Sequence, residues 1–186
     1  VVWRDLVHCR FRFSKLQLHT RLVLTVTGIL IGGGWLLFLL FERNAALAGL
    51  RPGGKALSAL FLAVTPRTAG FNTVDMAQLS ESGNLLTNVL MLIGGSPGST
   101  AGGIKTTTAA VLLLSTFASG RGSTRVHAFR YSIDRDTIRQ ASSILLTYLS
   151  MSTAAILAIC CLDPVSLKAT MFEVNSAIAT VGLSLG

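Results

Sequence analysis

Long stretches without a charged side chain constrain this chain more than any other feature of its sequence. Residues 22–41 and 141–162 are uncharged throughout, and a helix of about 20 apolar residues is long enough to cross about 30 Å of hydrocarbon. We therefore predict a transmembrane helix at each. Only 13% of the residues are charged, against about 25% in an average soluble domain, so a water-soluble globular fold is not expected.

A third uncharged stretch, residues 82–104, contains a segment that a regular helix does not accommodate. Its ten central residues include five glycines and one proline, in the order Gly94, Gly95, Ser96, Pro97, Gly98, Ser99, Thr100, Ala101, Gly102 and Gly103. Irregular backbone at membrane depth is tolerated only where protein buries it or where it lines a watery cavity. We interpret residues 82–119 as one helix broken by a functional loop.

Two further apolar pieces, residues 56–66 and 169–185, are too short to cross a bilayer and are typical of re-entrant segments. Each contains a similar motif, because residues 67–72 read RTAGFN and residues 179–184 read ATVGLS. Threonine, a small or branched apolar residue, glycine and a large apolar residue recur in the same order. We interpret the chain as an internal repeat of helix, pore helix, filter and helix, with the second copy incomplete.

Positive charge is concentrated beside the apolar stretches. Five basic residues fall in positions 1–21 and five more in positions 120–140: Arg4, Arg10, Arg12, Lys15, Arg21, Arg121, Arg125, Arg130, Arg135 and Arg139. Lys and Arg accumulate in the cytoplasmic loops of membrane proteins, so we expect both segments to be cytoplasmic and residues 42–55 and 72–75 to face outside. The formal net charge of +8 then reflects topology, and a nucleic-acid partner is not expected.

The paired motifs have the chemistry of a cation-selectivity filter. Backbone carbonyls of a short extended segment can replace the hydration shell of a permeating cation, and glycine adopts backbone angles that are closed to other residues. The second motif resembles the TVG sequence of potassium-channel filters, and the first is a relaxed version of it. The candidate filter residues are Thr68, Ala69, Gly70 and Phe71 in the first motif and Thr180, Val181, Gly182 and Leu183 in the second.

These motifs, together with residues 93–108 (IGGSPGSTAGGIKTTT), resemble the TrkH/KtrB potassium-uptake family over most of the chain. The resemblance implies an all-α membrane protein with four potassium-channel-like helix–pore loop–helix repeats around one axis. Residues 1–21 would end the second repeat, 22–119 would form the third with its filter at 67–72, 120–140 would be a cytoplasmic loop, and 141–186 would form most of the fourth with its filter at 179–184. Residues 94–103 with Lys105 would be the intramembrane gating loop.

The same resemblance implies what the protein works with. Potassium would be the transported ion, held through filter carbonyls only, with no resident cofactor and with sodium coupling left open. The partners would be a second copy of the chain in a homodimer, a cytoplasmic ring of nucleotide-binding regulatory subunits, and the lipid of the plasma membrane. The protein would be multi-pass and would not be an enzyme.

The glycine-rich loop has other interpretations. Gly98 and Gly103 have the spacing of a phosphate-binding loop, but Ile104 stands where the Walker lysine is required, and Lys105 follows one position late. We favour a gate over a nucleotide site, with a packing kink as a further alternative. Lys105 is either functional, because a charge at membrane depth is costly, or it extends toward the cytoplasmic face.

Several polar residues near the motifs also have two interpretations. Arg67 either repels cations or, as we favour, braces the filter by bonding carbonyls or an acid. Glu173 either pairs with such a cation or has an interfacial role. Asn84, Asn88 and Asn175 are expected to form hydrogen bonds between helices.

Other classes of protein fit the sequence less well. No Ser-His-Asp, paired-carboxylate or HExxH arrangement indicates a membrane enzyme. His8, His19 and His127 are scattered and the three cysteines form no CxxC pair, so no zinc site is expected. A structural membrane subunit, or a non-conducting fragment that lacks two repeats, is the alternative to a pore.

Overall fold

Helices account for most of the chain that the computed structural model describes, which is residues 17–97, 101–121, 126–128 and 131–186. Within these residues the structure has six α-helices: α1 (Leu18–Phe41), α2 (Pro52–Val64), α3 (Glu81–Leu92), α4 (Thr106–Gly120), α5 (Arg135–Leu162) and α6 (Leu167–Ile178). A 3-10 turn, Met76–Gln78, precedes α3. The expected helical fold is confirmed, while several predicted residues lie outside the described ones: positions 1–16, 122–125 and 129–130, and Gly98, Ser99 and Thr100 of the loop.

One element was not predicted from the sequence. Val126–Ala128 (β1) pairs antiparallel with Tyr131–Ile133 (β2), with Val126 opposite Ile133. The fold is helical as expected, and this short strand pair is an addition to it in the basic segment between α4 and α5. Strands of three residues are too short to give a recognisable alternating pattern.

Two helices, α1 and α5, are long and apolar enough to cross a membrane. Both begin before their predicted starts at residues 22 and 141, because a helix can continue past the hydrocarbon with polar residues in its first turns. Asp134 starts α5 by accepting a hydrogen bond from the Arg135 amide over 2.9 Å. Only 22% of the most apolar part of α1 and 11% of that of α5 is buried, which leaves large apolar faces for lipid.

Helix α2 packs along α1 at a point where small residues meet. A Cβ atom added to Gly34 would lie 3.2 Å from the Ala63 Cβ, so the two backbones approach closely there. The Trp35 indole Nε1 donates a hydrogen bond to the Ala56 carbonyl over 2.9 Å. The other glycines of α1, Gly28, Gly32 and Gly33, have no such neighbour among the described residues.

A buried carboxylate joins the end of α1 to the start of α3. Glu42 is fully buried and accepts hydrogen bonds from the Ser80 amide (3.1 Å) and the Ser80 hydroxyl. Ser80 in turn caps α3 by accepting from the Gly83 amide over 3.0 Å. A Cβ atom on Gly83 would lie 1.9 Å from Glu42 Oε1, so only glycine lets the carboxylate reach the helix start.

Candidate functional site

The two candidate filter segments follow the C-terminal ends of α2 and α6 and share an unusual backbone. The φ angles are 70° at Thr68 and 74° at Gly70 in the first segment, and 54° at Thr180 and 87° at Gly182 in the second. Positive φ is a genuine outlier for a β-branched residue such as threonine. Strain of this kind concentrates at functional sites, where the surrounding structure must hold it in place.

A buried hydroxyl braces each segment from behind. Thr65 Oγ1 donates to the Phe71 carbonyl over 2.5 Å, and Ser176 Oγ donates to the Leu183 carbonyl over 2.6 Å. The exposed fractions of Thr65 and Ser176 are 0% and 2%, so neither bond competes with water. Sequence reasoning assigned no role to either hydroxyl, although both belong to residues just before the matched motifs.

The two segments lie against each other in the folded chain. A Cβ atom added to Gly70 would lie 2.1 Å from the Val181 carbonyl oxygen and 3.6 Å from the Gly182 Cα. Gly70 therefore has no room for a side chain, quite apart from its φ angle. The structure thus brings together two motifs that are more than one hundred residues apart in sequence.

The glycine-rich segment separates α3 from α4, and its two ends are joined by backbone hydrogen bonds. Ile93 and Ile104 form a parallel bridge, with the Gly94 amide donating to the Ile104 carbonyl over 2.9 Å and the Thr106 amide to the Gly95 carbonyl over 3.2 Å. Between these ends the chain makes an excursion that includes the half-buried Ser96 and Pro97.

The returning arm of this excursion touches the second candidate filter segment. The Gly102 amide donates to Thr180 Oγ1 over 2.8 Å, and a Cβ atom on Gly102 would lie 2.6 Å from the Ala179 carbonyl oxygen. Lys105 Nζ donates to the Ala101 carbonyl. The ammonium group of Lys105 thus bonds the loop itself, a contact that neither sequence interpretation of this lysine included.

The structure contradicts the favoured partner of Arg67 and one of the two interpretations of Glu173. Arg67 Nη2 donates to the Thr27 hydroxyl of α1 over 3.4 Å, and among the described residues it bonds no carbonyl or acid, because the turn that carries Arg67 packs against α1. Glu173 Oε1 accepts from Ser184 Oγ (2.7 Å) and the Leu185 amide (2.9 Å). Among the described residues Glu173 forms no ion pair; it braces the end of its own segment instead.

A buried chain of amide side chains ties α6 to its neighbours. Asn175 Nδ2 donates to Asn88 Oδ1 over 2.8 Å, Ser152 Oγ donates to Asn175 Oδ1 over 2.8 Å, and Asn88 Nδ2 donates to the Asn84 carbonyl over 3.0 Å. The expected interhelical bond is therefore present between Asn88 and Asn175, whereas Asn84 bonds Asn88 within α3. Ser152, on α5, was not predicted as a member.

Oxygen atoms are the cation ligands that this region offers. Among the residues that the structure describes, no three His, Cys, Asp or Glu side chains stand together as a metal site would require. The oxygens that the two segments carry are their backbone carbonyls and the hydroxyls of Thr68 and Thr180. Such ligands suit a hard monovalent cation that must bind and then leave.

Comparison with known proteins identifies one family. Residues 12–186 match the TrkH family model, which is described as a cation transport protein. The chain is 39% identical over 191 residues to the potassium/sodium uptake protein NtpJ of Enterococcus hirae, covering 100% of this chain and 42% of that protein. It is 37% identical over 187 residues to the Ktr system potassium uptake protein B of Vibrio alginolyticus, covering 100% of this chain and 40% of that protein. The chain thus spans about 40% of the length of these relatives.

Proposed function

Because this chain belongs to the TrkH family of cation transport proteins, we propose that it supplies two filter segments to the pore of a potassium-uptake system. The observation that carries the proposal is the repeated geometry of the two segments. Each has a threonine and a glycine at positive φ, and each has a buried hydroxyl bonded to the carbonyl that follows the glycine. A purely structural subunit gives no reason for this repetition.

The backbone of both segments suits the coordination of a dehydrated cation. In an ordinary strand successive carbonyls point to opposite sides, whereas positive φ at every second residue turns them toward one side. Helices α2 and α6 end at the segments, so their negative C-terminal ends favour a cation there. We propose residues 67–72 and 179–184 as the filters of two successive helix–pore loop–helix repeats.

The glycine-rich segment between α3 and α4 is the proposed gate. Its arm at Gly102 touches the second filter segment, and a segment with so many glycines has little intrinsic helical stability. Two arrangements of the loop that differ by only a few kcal/mol would let a bound partner shift it by differential affinity. We propose that the nucleotide-binding ring is this partner and acts through α4.

One of the relatives supports the proposed assembly. The Vibrio alginolyticus protein is a component of a Ktr system, which fits a pore subunit that works with others. We propose a homodimer in the plasma membrane, with residues 17–21 and 120–140 on the cytoplasmic side. In a background without native cysteines, Arg51→Cys should be labelled from outside sealed cells, whereas Arg121→Cys should not. Labelling of Arg121→Cys from outside would contradict this topology and indicate the opposite orientation.

Potassium flux into liposomes tests the function. A full-length transporter carrying this sequence should conduct potassium, and the combined change Gly70→Ser with Gly182→Ser should abolish its preference for potassium over sodium. Gly28→Ser is the matched control, because a Cβ atom added to Gly28 on α1 would meet no described neighbour within 4 Å. A folded, inserted protein without flux above empty liposomes would leave the structural-subunit alternative.

A further inference from the structure

The threonines that begin the two filter segments are matched in sequence and backbone but not in their contacts. Both Thr68 and Thr180 have positive φ. The Thr180 hydroxyl accepts a hydrogen bond from the Gly102 amide over 2.8 Å, whereas no hydrogen bond of the Thr68 hydroxyl is found among the described residues. Among the described residues, the loop between α3 and α4 therefore bonds the threonine hydroxyl of one proposed filter segment and not that of the other.

The contact at Thr180 is closer than a single hydrogen bond requires. A Cβ atom on Gly102 would lie 2.6 Å from both the Ala179 carbonyl oxygen and Thr180 Oγ1, so the backbone of the loop rests directly on the start of the segment. Only a residue without a side chain fits there. Lys105 bonds the adjacent carbonyl of Ala101, which steadies the same arm of the loop.

We propose that the Thr180 hydroxyl is a latch that holds the loop against the second filter segment, and that a potassium ion at this end of the filter competes with the loop for the same oxygen. A hydroxyl that accepts an N–H directs less negative potential toward a cation, and the N–H group itself occupies the approach to the oxygen. This inference rests on the proposed filter and gate, and it adds the atom through which they act on each other.

Competition for one oxygen makes the coupling reciprocal. If a bound potassium ion weakens the loop contact, the closed loop must weaken potassium binding by the same factor. Loss of a single hydrogen bond changes an equilibrium about two- to tenfold. The latch therefore biases the loop toward closure and permits opening when the ion concentration rises.

Resting potassium flux, measured in proteoliposomes without activating nucleotide, tests the latch in the full-length transporter. Thr180→Val should raise the ratio of resting flux to nucleotide-activated flux about two- to tenfold, because it removes the acceptor and keeps the side-chain shape. The ratio cancels the loss of conduction that follows from removing an oxygen of the proposed filter. Thr180→Ser, which keeps a hydroxyl, should stay near the parent ratio. Thr68→Val, the matched change in the other segment, should lower conduction without raising this ratio.

The variant Gly102→Ala tests the position of the loop independently of the Thr180 hydroxyl. Its added methyl group pushes the loop off the segment, so resting flux should rise, and combining it with Thr180→Val should give no more than the larger single effect. If Gly102→Ala raises resting flux and Thr180→Val does not, the loop gates but the hydroxyl is not its latch. If the parent protein carries no potassium at all, the proposed function fails first.

Chemical modification of the loop gives a readout that does not depend on conduction. With the native cysteines replaced, Ala101→Cys should react faster with a thiol reagent in potassium than in choline. The added Thr180→Val change should make the reaction fast in both salts. Equal rates in potassium and choline for the protein with Thr180 would overturn the competition between ion and loop.

Discussion

The two filter segments reach the same backbone shape with different supports. The first, residues 67–72, is held by the Thr65 hydroxyl and by steric contact, because Gly70 lies against the Val181 carbonyl. The second, residues 179–184, is held by hydrogen bonds to the Ser176 hydroxyl, the Glu173 carboxylate and, at Thr180, the amide of Gly102 in the loop. Steric contacts are rigid, whereas hydrogen bonds can be exchanged. If these segments are the filters that we propose, we expect the first to fix the geometry and the second to be the one on which regulation acts.

The largest expected effect contrasts the two glycines. Gly70→Ser should abolish potassium selectivity and reduce the amount of folded protein, because its Cβ atom would lie 2.1 Å from the Val181 carbonyl oxygen in addition to the unfavourable φ. Gly182→Ser faces only the φ penalty among the described residues, about 1–2 kcal/mol, and should loosen selectivity while the protein still folds. The ratio of potassium to sodium flux measures selectivity, and the yield of detergent-extracted protein measures folding. Equal losses of selectivity and yield in the two variants would contradict the proposed difference between the segments.

The next effect concerns the loop between α3 and α4, whose described residues contact the second segment at Thr180. Deleting residues 96–100 in a full-length transporter should raise potassium flux several-fold and reduce its dependence on the regulatory ring, since the deletion shortens the proposed gate. Selectivity should change little, because the braces at Thr65 and Ser176 remain. If the inserted deletion protein keeps the flux and regulation of its parent, residues 93–105 are a structural kink.

A smaller effect is expected from the two matched hydroxyls. Thr65→Val and Ser176→Ala each leave a filter carbonyl without its buried donor, at a cost of about 1–3 kcal/mol. Both variants should unfold at lower temperature in detergent and should discriminate less between potassium and sodium. Thr116→Val is the control, since the Thr116 hydroxyl bonds a carbonyl of its own helix. An effect of Ser176→Ala with none of Thr65→Val would show that the first segment depends on sterics alone.

The smallest expected effect distinguishes the carboxylate that only the second segment has. Glu173→Gln keeps an acceptor for Ser184 and the Leu185 amide but removes the charge, which makes each bond weaker by about 1 kcal/mol. Potassium selectivity should fall about two- to fivefold with folding unchanged. Potassium selectivity should fall further in Glu173→Ala, which removes the acceptor. Parent-like selectivity in both variants would assign Glu173 an interfacial role.

The sequence predicts the helical fold and the family, and both are confirmed. Uncharged length and repeated glycine motifs are local signals, so α1 and α5 could be predicted within a few residues at their starts. The positive φ of Gly70 and Gly182 also agrees with their place in the motifs. The roles of these residues in conduction stay predictions.

The missed features depend on contacts between distant parts of the chain. The bond from Ser80 to Glu42 joins residues 38 positions apart, and the contact of Gly102 with Thr180 spans 78 positions. No local pattern specifies such partners, because the choice depends on how the helices pack. The pairing of Glu173 with a cation, one of its two interpretations, was not found for the same reason: its carboxylate accepts hydrogen bonds from Ser184 and the Leu185 amide instead.

The buried Glu42 has a mechanical consequence for the broken helix. Its hydrogen bonds to Ser80 fix the start of α3, the first half of the broken helix, to the end of α1. The bond between Asn88 and Asn175 joins α3 to α6. Helix α4 has no comparable polar anchor to α1 among the described residues and joins α3 through the short bridge of Ile93 with Ile104. We expect α3 to stay in place when α4 moves, so that bending concentrates at this bridge.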